Sequence, residues 1–206
     1  MKIYDCAQGS LDWFKARLGK PTSSKFGEIV TPTGKGTTGK GRYSYAVELA
    51  GERLTGQAVT LMPTYAMQRG TDLEPYARDW YVQYTGIAVK RVGFVGSDCD
   101  RWGCSPDGLT EKGGIEIKCP GRVAMLTMID QQKPAGDYIL QMQGCMFVTG
   151  ATEWDFVLYS DESGMPCTYW TVKADAKIQD ALAVELPKFC AEVDEIVERI
   201  KKVTAI

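Results

Sequence analysis

Trp102-Gly103-Cys104-Ser105-Pro106-Asp107-Gly108-Leu109 and Gly114-Ile115-Glu116-Ile117-Lys118-Cys119 flank a turn at Glu111-Lys112-Gly113, and the two runs are expected to fold back as a hairpin. Side chains alternate along a strand, so Glu116 and Lys118 share one face. Ile115 and Ile117 take the other face and are expected in the core. Asp107 stands nine residues before Glu116 and can return beside it across the turn. Two carboxylates and an ammonium then converge at one edge of a sheet. Paired carboxylates in oxygen-only company suit Mg2+, with the backbone carbonyl of Ile117 as a further ligand. Such an ion would polarise a phosphate and acidify a bound water. Lys118 would hold that water and offset developing charge. Asp-Gly is also a common turn pair and Glu-x-Lys a common solvated strand face. On this spacing alone, a charged surface hairpin competes with a metal site.

What the chain lacks narrows its chemistry further. Among 206 residues there is no His. Ser-His-Asp and Cys-His nucleophiles, HExxH and Cys2His2 zinc sites and any histidine base are therefore excluded. A carboxylate–lysine site needs none of them. Apolar residues at 44% and charged ones at 24% are ordinary for a globular chain. Length and the absence of a linker predict one domain over residues 1–206. The net charge of −2 conceals an asymmetry: residues 1–50 hold eight basic and four acidic residues (+4), residues 151–206 six and eleven (−5). That distribution suits an anionic polymer meeting one side, and equally chance variation on a solvated surface. The seven Cys form no CxxC, Met1-Lys2-Ile3-Tyr4-Asp5 carries no apolar leader, and no run approaches about 18 apolar residues. Reduced thiols, a cytoplasmic protein and no membrane span are the expectation.

A short helix is expected over Ser10–Leu18, capped by Ser10, stopped at Gly19-Lys20-Pro21, and burying Trp13. Further helices are expected over 24–30, 44–55, 67–85 and 137–148, and strands over 88–95, 154–158 and 167–172. The amphipathic segment 176–202 carries Pro187, which should kink or split it. Helices around a small strand cluster give an α/β or α+β domain.

Pro106-Asp107…Glu116-Ile117-Lys118 fits the PD-(D/E)xK nuclease motif, and a longer series of motifs resembles the lambda exonuclease / YqaJ-type viral recombinase family. The matching pieces are Gln8–Gly19 with Thr22-Ser23-Ser24, Arg69–Arg78, Cys104–Gly108, Glu116–Pro120 and Gln141-Met142-Gln143, in family order over roughly residues 8–160. Each is weak alone; together they are specific. The resemblance implies a restriction-endonuclease-like core, a small mixed β-sheet flanked by helices. It implies a 5′→3′ exonuclease acting on double-stranded DNA ends with one or two Mg2+ per site, or Mn2+ in their place. By motif, Asp107, Glu116 and the Ile117 carbonyl would be metal ligands and Lys118 the catalytic lysine. Glu74 would lie near the metal and Gln141 would help place water or phosphate. Arg17, Ser24 and Ser105 would hold a 5′-terminal phosphate. A homotrimer ring around DNA and a single-strand annealing partner are also implied. Singly, Arg17 reads as well as a helix-surface charge, Ser24 as a cap, Glu74 as a first-turn charge, and Gln141 and Gln143 as solvent-facing residues. An endonuclease or repair nuclease on the same core is the nearest alternative, and a non-catalytic DNA-binding protein a more distant one.

One other motif is set aside. Gly34–Gly41 fits the GxxxxGK phosphate loop, but Gly41 stands where Ser or Thr would bind Mg2+. A flexible basic loop gripping DNA phosphates through Lys35, Lys40 and Arg42 is the expectation kept, beside that of a plain surface excursion.

Overall fold

The computed structural model describes residues 1–59 and 64–204. Its strands are β1 (Lys2–Tyr4), β2 (Phe94–Gly96), β3 (Gly103–Cys104), β4 (Gly108–Leu109), β5 (Gly114–Lys118), β6 (Glu153–Leu158) and β7 (Thr168–Lys173). The α-helices are α1 (Leu11–Arg17), α2 (Lys40–Thr55), α3 (Tyr65–Thr85), α4 (Arg122–Asp130), α5 (Gly136–Thr149) and α6 (Ala176–Thr204), and Ser23–Glu28 forms a 3-10 helix. One sheet has the order β4-β5-β6-β7, with β5 and β6 parallel and the other neighbours antiparallel. The second, β1-β2-β3, is antiparallel. Two helices, α4 and α5, fill the crossover from β5 to β6, as a parallel pair requires.

Alternation along β5 sets the two cores. Ile115 and Ile117 pack with Val157, Ala77 and Tyr81 beneath α3. The opposite face meets the larger core, where Phe156, opposite Glu116 in register, stacks on Tyr138 of α5. Gly144 lets α5 lie against the 3-10 helix, since a Cβ there would come within 2.6 Å of the Phe26 ring. The expected hairpin is present but shorter. Only Gly108–Leu109 pairs with Gly114–Ile115, while Gly103–Cys104 belongs to the other sheet. Pro106 has no N–H to continue the ladder, and the chain changes sheets around it. The expected strand 88–95 is divided likewise: Lys90 bridges Leu109 and Phe94–Gly96 pairs with β1 and β3.

Three other expectations are corrected. In place of the helix expected over 24–30 stands the 3-10 helix Ser23–Glu28, α4 was not anticipated, and α6 is not split at Pro187 but runs through it. An internal proline costs a helix about 3 kcal/mol. The face Ile178, Leu182, Leu186, Phe189, Val193 and Ile196, buried in the main core, outweighs that cost at about 1.5–3 kcal/mol per large apolar side chain. No described helix is long and apolar enough to cross a membrane.

Candidate active site

The antiparallel register pairs Gly108 with Ile115, and one step outward it sets Asp107 opposite Glu116. Asp107 Oδ2 accepts the Ile117 amide at 2.6 Å, which fixes the carboxylate beside the strand. Lys118 Nζ donates to Glu116 Oε1 at 2.5 Å and lies 5.1 Å from the centre of the Tyr138 ring. Glu116 is fully enclosed at 0% exposure, and its second oxygen, Oε2, is buried without a hydrogen-bond partner. A desolvated carboxylate oxygen with no donor is costly. Asp107, Ile117, Lys118 and Glu74 line a cavity of about 860 Å3 whose rim includes Arg69 and Arg122.

Electrostatics follow from this enclosure. Burial first, then the charge of Glu116, pushes the Asp107 carboxyl well above the ordinary range. Burial also raises Glu116, against the pull of Lys118. For Lys118, burial favours the neutral amine, but Glu116 and Asp107 outweigh it and hold the ammonium charged. No cluster of three or more Cys, Asp and Glu with metal-binding geometry occurs among the described residues. The donor set expected here is two carboxylates and a carbonyl. The unpartnered Glu116 oxygen beside the Asp107 carboxylate fits a hard divalent cation.

A second cluster adjoins it. Arg17 donates to Ser105 Oγ at 2.7 Å and to Thr22 Oγ1 at 3.4 Å. Thr22 Oγ1 is 3.4 Å from Ser24 Oγ. The Arg17 guanidinium lies 4.2 Å over the Trp13 ring, and Trp13 Nε1 donates to Ser105 Oγ at 2.9 Å. Burial lowers the Arg17 guanidinium from its ordinary value. Arg17 and Ser105, 88 residues apart, are thus brought together, and Ser24 joins them through Thr22. Trp13, expected in the core, is a half-buried wall of this pocket because its indole N–H needs an acceptor. Thr22 was not singled out, although it stands in the Thr22-Ser23-Ser24 motif.

Of the other expected residues, Glu74 joins the cavity and the rest do not. Glu74 reaches the cavity from mid-helix in α3, not from a first turn, and is bonded by Arg78. Gln141 is half-buried one turn beyond Tyr138 and is not among the residues lining the cavity. Gln143 is buried, not solvent-facing: it bonds Lys173 O, Asp175 N and Gln179. Arg42 is no free DNA-binding cation. It is buried in the first turn of α2 against α6, bonded to Glu185, Glu192 and Ile29 O. Lys35 and Lys40 are exposed and are not among the cavity residues. Their loop is tied by Thr31 N to Lys35 O and Thr37 N to Ile29 O, both 2.8 Å, in place of the flexible run expected. No strand leads into Gly34–Gly41, so it forms no nucleotide-binding loop.

A family model, the YqaJ-like viral recombinase domain, matches residues 12–152. The chain belongs to this family. No curated protein matches it. Among solved structures, this YqaJ-like chain resembles the alkaline exonuclease LHK-Exo of Laribacter hongkongensis at 36% identity. The match covers 95% of this chain and 98% of that one, with a TM-score of 0.85, and 0.86 for LHK-Exo in complex with dAMP. A phage-related exonuclease from Haemophilus somnus 129PT shares the fold at 18% identity, over 88% and 96% of the chains, with a TM-score of 0.69. The sheet β4–β7 and its flanking helices are the restriction-endonuclease-like core expected of the YqaJ-like family.

Proposed function

We propose that this single-domain chain is a 5′→3′ exonuclease. It digests one strand of linear duplex DNA from a 5′-phosphorylated end and leaves 3′ overhangs for annealing recombination. The relatives' activity supports the exonuclease. The observation that carries the polarity is the segment Ser105-Pro106-Asp107: Ser105 belongs to the Arg17 pocket and Asp107 to the cavity. Their Cα atoms stand two peptide units apart, at most about 7 Å. An anion pocket that close to the cutting carboxylates favours a substrate that ends in phosphate.

Asp107, Glu116 and the Ile117 carbonyl would hold Mg2+, or Mn2+, which when bound supplies Lewis acidity and a nucleophilic water. Arg17, with the hydroxyls of Thr22, Ser24 and Ser105, binds the terminal phosphate through charge-assisted hydrogen bonds. The ammonium of Lys118, held by Glu116, orients the attacking water and stabilises charge building on the scissile phosphate. Glu74 adds a carboxylate at the cavity wall, and Gln141 is assigned to the ordering of water or phosphate. Lys35 and Lys40 remain candidates for contacts with the flanking duplex. A homotrimer ring and a single-strand annealing partner, in a bacterial host's cytoplasm, complete the proposal.

The test is linear duplex labelled at either the 5′ or the 3′ end, with Mg2+ or with EDTA. Early release of the 5′ label as mononucleotide, abolished by EDTA, is expected. Degradation of covalently closed circles, or early loss of the 3′ label, would overturn the reading.

A further inference from the structure

We infer that Arg78 is a positioning residue that locks the Glu74 carboxylate to the Asp107 backbone and so holds the ion-binding oxygens in place. The inference rests on the metal-dependent reading above. Arg78 Nε donates to the Asp107 carbonyl at 3.1 Å, and its Nη2 donates to Glu74, one helical turn earlier in α3. The side chain is buried, at 7% exposure. Asp107 is thus gripped twice, its carboxylate by the Ile117 amide and its carbonyl by Arg78. The preceding residue, Ala77, is buried against Ile115 and Ile117. The seating of α3 on β5 therefore sets where the guanidinium stands. Arg78 also borders a separate cavity of about 430 Å3, with Gln8 and Arg91, which shares Thr71, Glu74 and Asp107 with the catalytic one. Arg78 accordingly supports the carboxylates from that side and does not line the catalytic cavity itself.

Arginine suits this task because its planar fork serves two acceptors at fixed angles, whereas lysine presents one point charge. Charge and geometry predict opposite results. A cation beside the site repels a divalent ion, so if charge were its whole contribution, removing it would tighten ion binding. If Arg78 acts by geometry, losing the fork loosens the ligands and weakens binding. Partners of this kind typically change metal affinity or activity by about 10–100-fold.

The experiment titrates Mn2+ by electron paramagnetic resonance, without DNA, in the parent, Arg78→Lys and Arg78→Gln. It adds binding of a 5′-phosphorylated duplex end in EDTA and single-turnover digestion across Mg2+ concentrations. Both substitutions are expected to weaken Mn2+ binding at least 10-fold and to shift the Mg2+ dependence of digestion to higher concentration. DNA-end binding in EDTA should stay within twofold. Mn2+ affinity that is unchanged in Arg78→Lys, or tightened in Arg78→Gln, would overturn the inference. So would lost DNA binding at unchanged Mn2+ affinity, since Arg78 would then touch substrate. Arg78→Lys keeps the charge and supplies the comparison if Arg78→Gln does not fold. A parent that binds Mn2+ yet cuts closed circles would sink the exonuclease reading and leave the Arg78 comparison intact; a parent that binds no Mn2+ would sink the inference.

Discussion

Arg17 and Ser105 are joined by a 2.7 Å hydrogen bond across 88 residues of sequence, and the Trp13 indole bonds the same hydroxyl from the other side. The serine thereby couples the first helix to the segment that bears Asp107. Arg17→Ala is expected to reduce the preference for 5′-phosphorylated over 5′-hydroxyl ends by about 10–100-fold, since a hydrogen bond to a charged group contributes about 1.5–3 kcal/mol. Competitive digestion of the two kinds of end measures it. Equal discrimination in variant and parent would remove Arg17 from the pocket.

Among the described residues, Lys118 is the one hydrogen-bond partner of the Glu116 carboxylate. Lys118→Ala should lower the single-turnover rate by about 10²–10³-fold, the usual loss when a preorganised charge-stabilising donor is removed. End binding in EDTA should stay within twofold. Full digestion by the variant would contradict the assignment.

Gln143 ties α5 to the start of α6 through Lys173 O at 2.8 Å, Asp175 N at 2.9 Å and Gln179 Nε2 at 2.8 Å. Gln143→Ala removes hydrogen bonds to these part-buried partners and should destabilise the fold by about 1–2 kcal/mol. Urea titration should report the loss, with the activity of the remaining folded protein little changed.

Asp100 carries a pH signature. Burial alone would raise its carboxyl, but hydrogen bonds from Lys20 at 2.7 Å and Tyr4 at 2.6 Å outweigh it and hold it below its usual value. A carboxyl lowered in the fold binds its proton more weakly folded than unfolded. Its contribution is therefore present above the unfolded value and fades as pH falls through the folded one. Asp100→Asn should cost about 1 kcal/mol at neutral pH, as befits a partly exposed pair, and the gap to the parent should close below about pH 4. Unfolding curves at the two pH values decide it; a constant gap would refute the assignment.

Arg42 is expected to matter for the fold rather than for DNA. Arg42→Gln leaves Glu185 without its guanidinium partner and should destabilise the protein by about 1–3 kcal/mol. DNA-end affinity should remain within twofold. A selective loss of affinity at full stability would restore the DNA-contact reading.

The convergence of Asp107, Glu116 and Lys118 was legible because its rule is local. A period of two along Glu116-Ile117-Lys118 and a short turn back to Asp107 need no knowledge of the rest of the chain. The cluster of Arg17, Thr22 and Ser105 was legible only through motifs, since nothing in the spacing of Arg17 and Ser105 says that they meet. Arg42 shows what stayed hidden. Whether a cation is free depends on the helix packed against it, and its partners Glu185 and Glu192 lie 143 and 150 residues away. Pro187 did not split its helix: the local penalty was outweighed by the long apolar face of α6.

The basic N-terminal quarter has a kinetic consequence. Lys2, Lys15, Lys20, Lys25 and Arg42 each face a carboxylate of the same molecule, so much of its field closes on itself before reaching solvent. Long-range steering raises encounter rates only where uncompensated charge extends outward, and it collapses with added salt. For a protein of net charge −2, capture of duplex DNA then depends on short-range recognition of the terminus. Association rates should accordingly vary only shallowly with ionic strength.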